Sequence, residues 1–122
     1  MGIYQSKPSA RSAPSSENSK EMKDFINGEL AANKVVVFSK SYCPYCTSTK
    51  DLFKKAEFKG IDVAVHELDK RKDGAAMQST LASMSGQRTV PMVWVGGKFI
   101  GGNSETQSSY KSGELKTMLG LN

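Results

Sequence analysis

The two cysteines of the chain, Cys43 and Cys46, are the residues best suited to carry chemistry. They stand two residues apart, directly after an apolar run at 35–38 and at the start of a segment with helical periodicity. A cysteine at a helix start meets unpaired backbone N–H groups, which favour the thiolate over the thiol. The pattern therefore predicts redox chemistry of sulfur, with Cys43 as the attacking nucleophile and Cys46 as the resolving thiol.

Pro44, between the two cysteines, is expected to help set the reactivity of the thiolate. Its fixed φ suits the first helical position, and its missing N–H would have had no intrahelical partner there. It also disfavours a helical conformation for Cys43. Cys46 then falls one turn further along the same side, less exposed, where it can attack only a disulfide already formed at Cys43.

Structural zinc and a structural disulfide are the alternative uses of the cysteine pair. A closed zinc site needs four protein ligands, whereas this chain offers two cysteines and the single His66. A disulfide ring this short removes little freedom from the unfolded chain. Redox chemistry is therefore favoured, no metal is expected, and His66 is interpreted as a structural histidine.

Length and composition indicate one modest domain in a reducing compartment. The chain has 122 residues, 38% of them hydrophobic, and no apolar stretch long enough to cross a bilayer. Without an apolar signal segment, the cysteine pair favours a cytoplasmic protein. The formal charge is +5, but the basic clusters are short and lack interleaved aromatic residues. We expect no nucleic-acid binding and an attraction for small anionic substrates.

The first half of the chain predicts a helix followed by a βαβ unit. Residues 1–18, rich in Ser and Pro, are expected to form a flexible tail, so the domain spans residues 19–122. A first helix is predicted between a cap at Asn18 and a stop at Asn33. A buried strand at 35–38, a helix from Pro44 to Gly60 and a strand at 63–68 would follow.

The second half predicts a helix, a hairpin and a last helix. Asp73 is expected to cap the helix, and Gly86 to end it. Gly96-Gly97 separates two short strands at 92–95 and 98–100, as in a tight hairpin. A final helical region would be capped by Asn103 or Ser104.

Three motifs follow one another along the chain: Lys-Ser-Tyr-Cys-Pro-Tyr-Cys at 40–46, Arg-Thr-Val-Pro at 88–91 and Gly-Gly-Asn-Ser-Glu at 101–105. In this order and spacing they resemble the dithiol glutaredoxins, the class I group with Cys-Pro-Tyr-Cys. The resemblance covers about residues 21–120. It implies an α/β, thioredoxin-like fold: a central four-stranded mixed sheet flanked by helices, with a helix at each end. Thioredoxins usually carry Gly-Pro between their cysteines and lack the third motif.

The resemblance also implies a groove for glutathione, a tripeptide with two carboxylates and one ammonium. Lys40 would lie near the thiolate and the glycine carboxylate, lowering the pKa of Cys43. Val90, before a cis Pro91, would pair through its backbone with the cysteine portion of glutathione. The implied glutathione-binding residues are Lys40, Tyr45, Gln78, Thr89, Val90, Pro91, Gly102, Asn103, Ser104 and Glu105.

Some of these residues also have simpler interpretations. Lys40 could be a solvated lysine at a strand end, and Gln78 an exposed helical glutamine. Asn103 and Ser104 could be helix caps, a role compatible with presenting N–H groups to a carboxylate of glutathione. Glu105 stands where the family commonly has Asp for the ammonium, so the charge is kept on a longer side chain.

The implied activity is reduction of disulfides with glutathione as the electron donor. Cys43 alone would reduce protein–glutathione mixed disulfides, and Cys43 with Cys46 would reduce protein disulfides. The expected partners are glutathione and oxidised proteins, and the expected state is a monomer. The alternative is a dimer bridged by a [2Fe-2S] cluster, as in some glutaredoxins. Pro44 argues against it, because cluster carriers generally have Gly or Ser there.

The N-terminus carries a pattern that bears on location. Gly2, after removal of Met1, fits the N-myristoylation pattern, with Ser6 at its end. One acyl chain would give only weak, reversible membrane association. A Ser-rich, acid-poor organelle transit segment is the competing interpretation. The expected location is therefore the cytoplasm, with weak membrane association if Gly2 is acylated. Import into an organelle is the alternative.

Overall fold

A computed structural model describes residues 19–121 of the chain. The predicted tail, Gly2 and the cap at Asn18 therefore lie outside the described residues. Two 3₁₀ turns, Ala56–Phe58 and Leu68–Lys70, accompany the regular elements. The helices are α1 (Ser19–Ala32), α2 (Pro44–Phe53), α3 (Gly74–Ser85), α4 (Asn103–Ser112) and α5 (Glu114–Met118), and the strands are β1 (Val35–Ser39), β2 (Val63–Glu67), β3 (Met92–Val95) and β4 (Lys98–Gly101).

The four strands form one mixed sheet in the order β2-β1-β3-β4. β1 runs parallel to β2 and antiparallel to β3, and β4 pairs antiparallel with β3. All residues of β1 are buried, as its unbroken apolar run predicts for a central strand covered on both faces. This architecture confirms the thioredoxin-like α/β fold expected from the sequence.

Helices cover both faces of the sheet. On one face, Met22 and Ile26 of α1 and Leu81 of α3 pack with alternate residues of β1. On the other, Leu52 of α2 and Leu115 of α5 pack with the remaining β1 residues. Within residues 19–121, no helix is long and apolar enough to cross a membrane.

Two predicted helix ends and the predicted hairpin turn are confirmed. Asn33 follows the last residue of α1, and both its backbone N–H and its side-chain amide donate to the Glu29 carbonyl. Gly86 ends α3 with a left-handed φ of 81°. Gly96 and Gly97 form the hairpin turn with φ values of 58° and 81°, which glycine adopts readily.

The structure corrects two predicted boundaries in the βαβ unit. The helix from Pro44 ends at Phe53 and not at Gly60, because the N–H groups of the next residues bond to carbonyls three residues back. The chain then tightens into a 3₁₀ turn that buries Phe58 beside Phe53. The second strand ends at Glu67, where Leu68 begins the other 3₁₀ turn.

Helix capping differs from the sequence prediction at two sites. Asp73 occupies the cap position of α3, but Arg71 holds its carboxylate at 2.8 Å, and its side chain makes no capping hydrogen bond. Gly102, and not Asn103 or Ser104, is the cap residue of α4. Gly113, with φ of 88°, divides the last helical region into α4 and α5.

Candidate active site

The loop between β1 and α2 places the two cysteines at the edge of the sheet. Asp69, just after β2, fixes this loop by accepting hydrogen bonds from the backbone N–H of Ser41, at 2.9 Å, and from its hydroxyl. These hydrogen bonds hold the pKa of the Asp69 carboxyl below its ordinary value. A charged acceptor therefore anchors the segment that leads into the cysteine pair.

Cys43 is the more accessible of the two sulfurs, and it is the cap residue of α2. Its Sγ accepts a hydrogen bond from the backbone N–H of Cys46 at 3.3 Å. Desolvation acts to raise the pKa of Cys43, but hydrogen bonds from Cys46 and Tyr45 and the positive charge of Lys50 outweigh it, so the net pKa is lowered. The helix start thus stabilises the Cys43 thiolate.

Cys46 is fully buried, one turn inside α2. Burial raises the pKa of its thiol to about 11, although the backbone N–H of Lys40 donates to its Sγ at 3.4 Å. Cys43 is thus the accessible, more acidic sulfur and Cys46 the buried, protonated one. Pro44 stands at the first helical position between them.

The loop before β3 forms one wall of the site. The Val90–Pro91 peptide bond is cis, as the family resemblance implied. The side-chain amide of Gln87 donates to the carbonyls of Thr89, at 2.7 Å, and Pro91, at 3.1 Å. Gln78 of α3 donates to the Arg88 carbonyl at 2.9 Å. Two glutamine side chains therefore hold this loop.

The start of α4 forms the facing wall, and two glycines precede it. Gly101 has φ of +124°, and a Cβ there would come within 2.7 Å of the Glu105 side chain. A Cβ on Gly102 would lie 3.3 Å from the Pro91 carbonyl oxygen, so the two walls approach closely at this point. The Glu105 carboxylate accepts the Gly102 N–H at 2.8 Å.

A side-chain amide connects α4 to α2. The Oδ1 of Asn103 accepts hydrogen bonds from the hydroxyl of the buried Thr49, at 2.8 Å, and from the amide of Gln107, at 3.2 Å. The Asn103 side chain therefore positions the two helices. Its predicted contribution to binding would come from the backbone, as the helix start suggests.

Between the two walls lies an open cavity of about 810 Å³. Lys40 and Gln78 are not among its lining residues. Lys40 is half-buried directly after β1, and Gln78 bonds to the loop through the Arg88 carbonyl. Eight of the residues predicted to bind glutathione line it: Tyr45, Thr89, Val90, Pro91, Gly102, Asn103, Ser104 and Glu105.

Four further lining residues escaped the sequence prediction: Gln87, Gln107, Ser108 and Lys111. The last three follow Ser104 at helical spacing, so the face of α4 that carries Ser104 could have indicated them. Gln87 adjoins the Arg-Thr-Val-Pro motif, but its hydrogen bonds to that loop depend on the chain turning back. Lys50, which contributes to the acidity of Cys43, was also missed.

The arrangement combines a reactive thiol with a polar groove of mixed charge. Lys111 supplies a cation, the start of α4 supplies N–H groups, and Glu105 supplies a carboxylate. Such a groove suits a small molecule that carries both carboxylates and an ammonium. Among residues 19–121, no group of three or more His, Cys, Asp or Glu residues could hold a metal ion.

This fold and site define a thioredoxin-like thiol–disulfide oxidoreductase, and comparison with known proteins specifies the family. The glutaredoxin family model matches residues 35–100. Glutaredoxin-C4 of Arabidopsis thaliana is 44% identical over 98 residues, covering 80% of this chain and 70% of that protein. Glutaredoxin-1 of Saccharomyces cerevisiae is 42% identical over 106 residues, covering 86% and 93%.

A solved structure agrees with the sequence relatives. A buckwheat glutaredoxin–glutathione complex is 40% identical and superimposes with a TM-score of 0.78, covering 87% of this chain and 94% of that one. The chain belongs to the glutaredoxin family, and its Cys-Pro-Tyr-Cys motif is of the dithiol type. It is a glutathione-dependent disulfide oxidoreductase, which confirms the expected enzyme class.

Proposed function

We propose that this glutaredoxin binds glutathione in the cavity between the cis-proline loop and α4. In this proposal it reduces protein–glutathione mixed disulfides through Cys43, and protein disulfides through Cys43 and Cys46. The observation that carries the proposal is the accessible, acidified sulfur of Cys43 next to this groove, with Tyr45 in both the motif and the cavity lining.

The groups along the groove match the parts of glutathione. The backbone at the start of α4 would bind the γ-glutamyl carboxylate, and Glu105 the ammonium beside it. The Val90 backbone would pair with the cysteine portion; within residues 19–121 its N–H and C=O make no hydrogen bond. The buckwheat relative, solved with glutathione, supports the choice of ligand.

Lys40, Gln78 and Lys111 are proposed for the other carboxylate of glutathione, that of its glycine. Lys40 leads into the motif at the end of β1, and Lys111 adds a cation at the groove. Gln78 would act from α3, where its side chain donates to the Arg88 carbonyl of the same loop. Glutathione is then bound by charge at both ends, and its sulfur lies toward Cys43.

The proposed monothiol route is an exchange at sulfur. The Cys43 thiolate attacks the glutathione sulfur of a mixed disulfide, and the protein thiolate leaves and takes a proton. A second glutathione, as thiolate, attacks the glutathione sulfur held on Cys43. This step releases oxidised glutathione and restores the Cys43 thiolate.

The proposed dithiol route uses the buried thiol. Cys43 attacks a protein disulfide and becomes linked to one of its sulfurs. Cys46 then attacks Cys43, forming the Cys43–Cys46 disulfide and releasing the protein in its dithiol form. Two molecules of glutathione reduce the enzyme again.

Turnover of a glutathione mixed disulfide, coupled to glutathione reductase and NADPH, tests the proposal. We expect turnover with this coupling and little with thioredoxin reductase. The Cys46→Ser variant should retain reduction of mixed disulfides and lose reduction of protein disulfides. Equal loss of both activities in Cys46→Ser would contradict the monothiol route, and thioredoxin reductase supporting the faster turnover would contradict the electron donor.

The state and location of the protein are proposed on the sequence alone. We propose a cytoplasmic monomer in which Gly2 is the acceptor of a myristoyl chain. Intact-mass measurement on protein from its native cell would show the acyl increment, whereas a missing N-terminal segment would indicate organelle import.

Anaerobic purification should give a colourless monomer; a coloured, glutathione-dependent dimer would indicate the cluster-binding alternative.

A further inference from the structure

A chain of polar side chains, Ser39, Glu67 and Lys50, lies near Cys46, and none of the three lines the groove. The Ser39 hydroxyl, fully buried, donates to Oε1 of Glu67 at 2.7 Å. Lys50 of α2 donates to the other oxygen, Oε2, at 2.6 Å. The Ser39 side chain also lies within hydrogen-bonding reach of Cys46, where it acts to lower the pKa of the Cys46 thiol. The Ser39 hydroxyl thus stands between a buried thiol and a partly buried carboxylate–ammonium pair.

The sheet builds this chain directly. Ser39 and Glu67 face each other in the parallel pairing of β1 and β2, so their side chains point to the same face of the sheet. The α2 helix covers this face, which places Cys46 and Lys50, one helical turn apart, above the two strand residues. The mechanism described so far uses Cys46 but leaves Ser39 and Glu67 without a role.

The resolving step needs a proton acceptor at this position. Cys46 attacks as a thiolate, whereas burial, the largest cause acting on it, raises the pKa of its thiol and so favours the protonated form. The sulfur is fully buried, so bulk water does not reach it directly. A base within the protein would remove this obstacle.

We propose that Glu67 accepts the proton of Cys46 through the hydroxyl of Ser39 during the resolving step. Glu67 does not touch the reacting sulfurs and acts through Ser39. The inference rests on the dithiol route of the proposed function, and it assigns that route two residues outside the cysteine motif and outside the groove.

In the resolving step, one proton moves from Cys46 to Glu67 by way of Ser39. Ser39 passes its hydroxyl proton to Oε1 of Glu67 and takes the proton of the Cys46 thiol, while the Cys46 sulfur attacks Cys43. The Cys43–Cys46 bond forms, and the bond from Cys43 to the substrate sulfur breaks. The leaving thiolate takes the electron pair and a proton from solvent, and Glu67 releases its proton to solvent afterwards. In this step Cys46 is oxidised, Cys43 stays at the disulfide level and the released substrate sulfur is reduced.

The polar and charged groups around this step come from β1, β2, α2 and the loop before α2. Among the described residues, Glu67 of β2 contacts Lys50 of α2 and Ser39 of β1. Cys46 lies near Ser39 and contacts Cys43 and the backbone N–H of Lys40. Lys50 also lowers the pKa of Cys43. A substitution at Glu67 can therefore change both the first attack by Cys43 and the closure of the Cys43–Cys46 disulfide, and the test must measure the two steps separately.

Single-turnover oxidation of the reduced enzyme by oxidised glutathione makes this separation. Acid quenching and mass spectrometry count the glutathione adduct of Cys43 and the closed disulfide at each time and pH. In Glu67→Gln, ring closure should be slower by about 100-fold at pH 7 and approach the wild-type rate as pH rises, because hydroxide then removes the proton. Closure at the wild-type rate at every pH would overturn the relay.

Ser39→Ala is the matched variant, because it removes the hydroxyl and leaves the Lys50–Glu67 pair. It should slow closure as much as Glu67→Gln, and the double variant should be no slower than either. Slow closure in Glu67→Gln with normal closure in Ser39→Ala would show that the carboxylate serves only as a partner for Lys50.

The first step is measured in a Cys46→Ser background, where closure cannot occur. Glu67→Gln should still form the adduct in this background at a rate that follows the thiolate fraction of Cys43, so the slowing must be confined to closure. A wild-type enzyme that forms no adduct would defeat the proposed function. A wild type that closes, with variants that close equally fast, would defeat the relay alone.

Discussion

Two helix starts meet at the active site, and they treat their unpaired N–H groups differently. At α2 the cap is a thiol: Cys43 Sγ accepts the Cys46 N–H, and the sulfur becomes more acidic. At α4 the cap is a glycine whose N–H is taken by Glu105, while the next backbone groups border the cavity. The same property of a helix start thus supports a reactive thiolate in α2 and a proposed carboxylate site in α4.

The comparison separates reactivity from binding within one small site. Substitutions at the start of α2 should change the rate of the chemical step, and those at the start of α4 should change affinity for glutathione. The two helices are not independent, because Thr49 of α2 donates to Asn103 of α4. Four predictions test this division, beginning with the largest effect.

Cys43→Ser should lower turnover of both mixed disulfides and protein disulfides by at least about 10³-fold, because it removes the nucleophile. Calorimetry should show glutathione still binding with a Kd within about twofold of wild type, since a serine adds no bulk or charge. Loss of binding together with turnover would show that the α2 sulfur is also part of the binding site, and the division would fail.

Glu105→Ala should raise KM for glutathione by about tenfold and lower the free energy of unfolding by about 1 kcal/mol, because charge and cap are lost together. Glu105→Gln is the control, since its amide oxygen can still accept the Gly102 N–H. It should keep most of the stability but still raise KM, as measured by chemical denaturation and steady-state kinetics. An unchanged KM in both variants would exclude Glu105 from the ammonium site.

Thr49→Val should lower the free energy of unfolding by about 1–2 kcal/mol, because it replaces a buried hydroxyl and leaves Asn103 with Gln107 as its donor. KM for glutathione should rise by about twofold to threefold through the displaced start of α4. The rate of Cys43 alkylation should not change. If alkylation slowed while KM stayed constant, the connection would serve reactivity and not binding.

Alkylation of Cys43 followed against pH should give the smallest effect. Because the pKa of Cys43 is lowered, its reactivity should persist below the ordinary thiol range and be lost as pH falls through the lowered pKa. Lys50→Gln should raise this pKa, so reactivity would be lost at a higher pH. The paired variant Lys40→Gln tests the other cation. A shift in Lys40→Gln alone would assign the tuning to Lys40.

Local signals predicted much of the fold because their physical cause lies within a few residues. The apolar run of β1 requires burial on both faces wherever the strand lies. Gly86, Gly96 and Gly97 adopt left-handed conformations that most residues avoid. The end of α2 was missed because a contact outside the helix decides it: α2 stops where Phe58 must reach the core. Asp73 was placed correctly at the start of α3, but its carboxylate binds Arg71 and does not cap the helix.

The candidate site divides in the same way. The spacing of Cys43 and Cys46 indicated the chemistry, and the three motifs indicated most of the cavity lining. Spacing could not show that Gln87 turns back to hold its own loop, or that Lys50, seven residues after Cys43, acts on its sulfur. These contacts depend on side-chain directions that only a complete fold specifies.

The sequence by itself determined a cysteine pair at a strand-to-helix turn, a buried central strand and three motifs of one family, because each depends on residue type and short spacing. Only the tertiary structure decided which groups meet around the two sulfurs. Ser39 and Glu67 are 28 positions apart, and Thr49 and Asn103 are 54 apart. Each pair forms only when two strands or two helices pack side by side, and no local sequence pattern predicts which residues of the two elements then face each other.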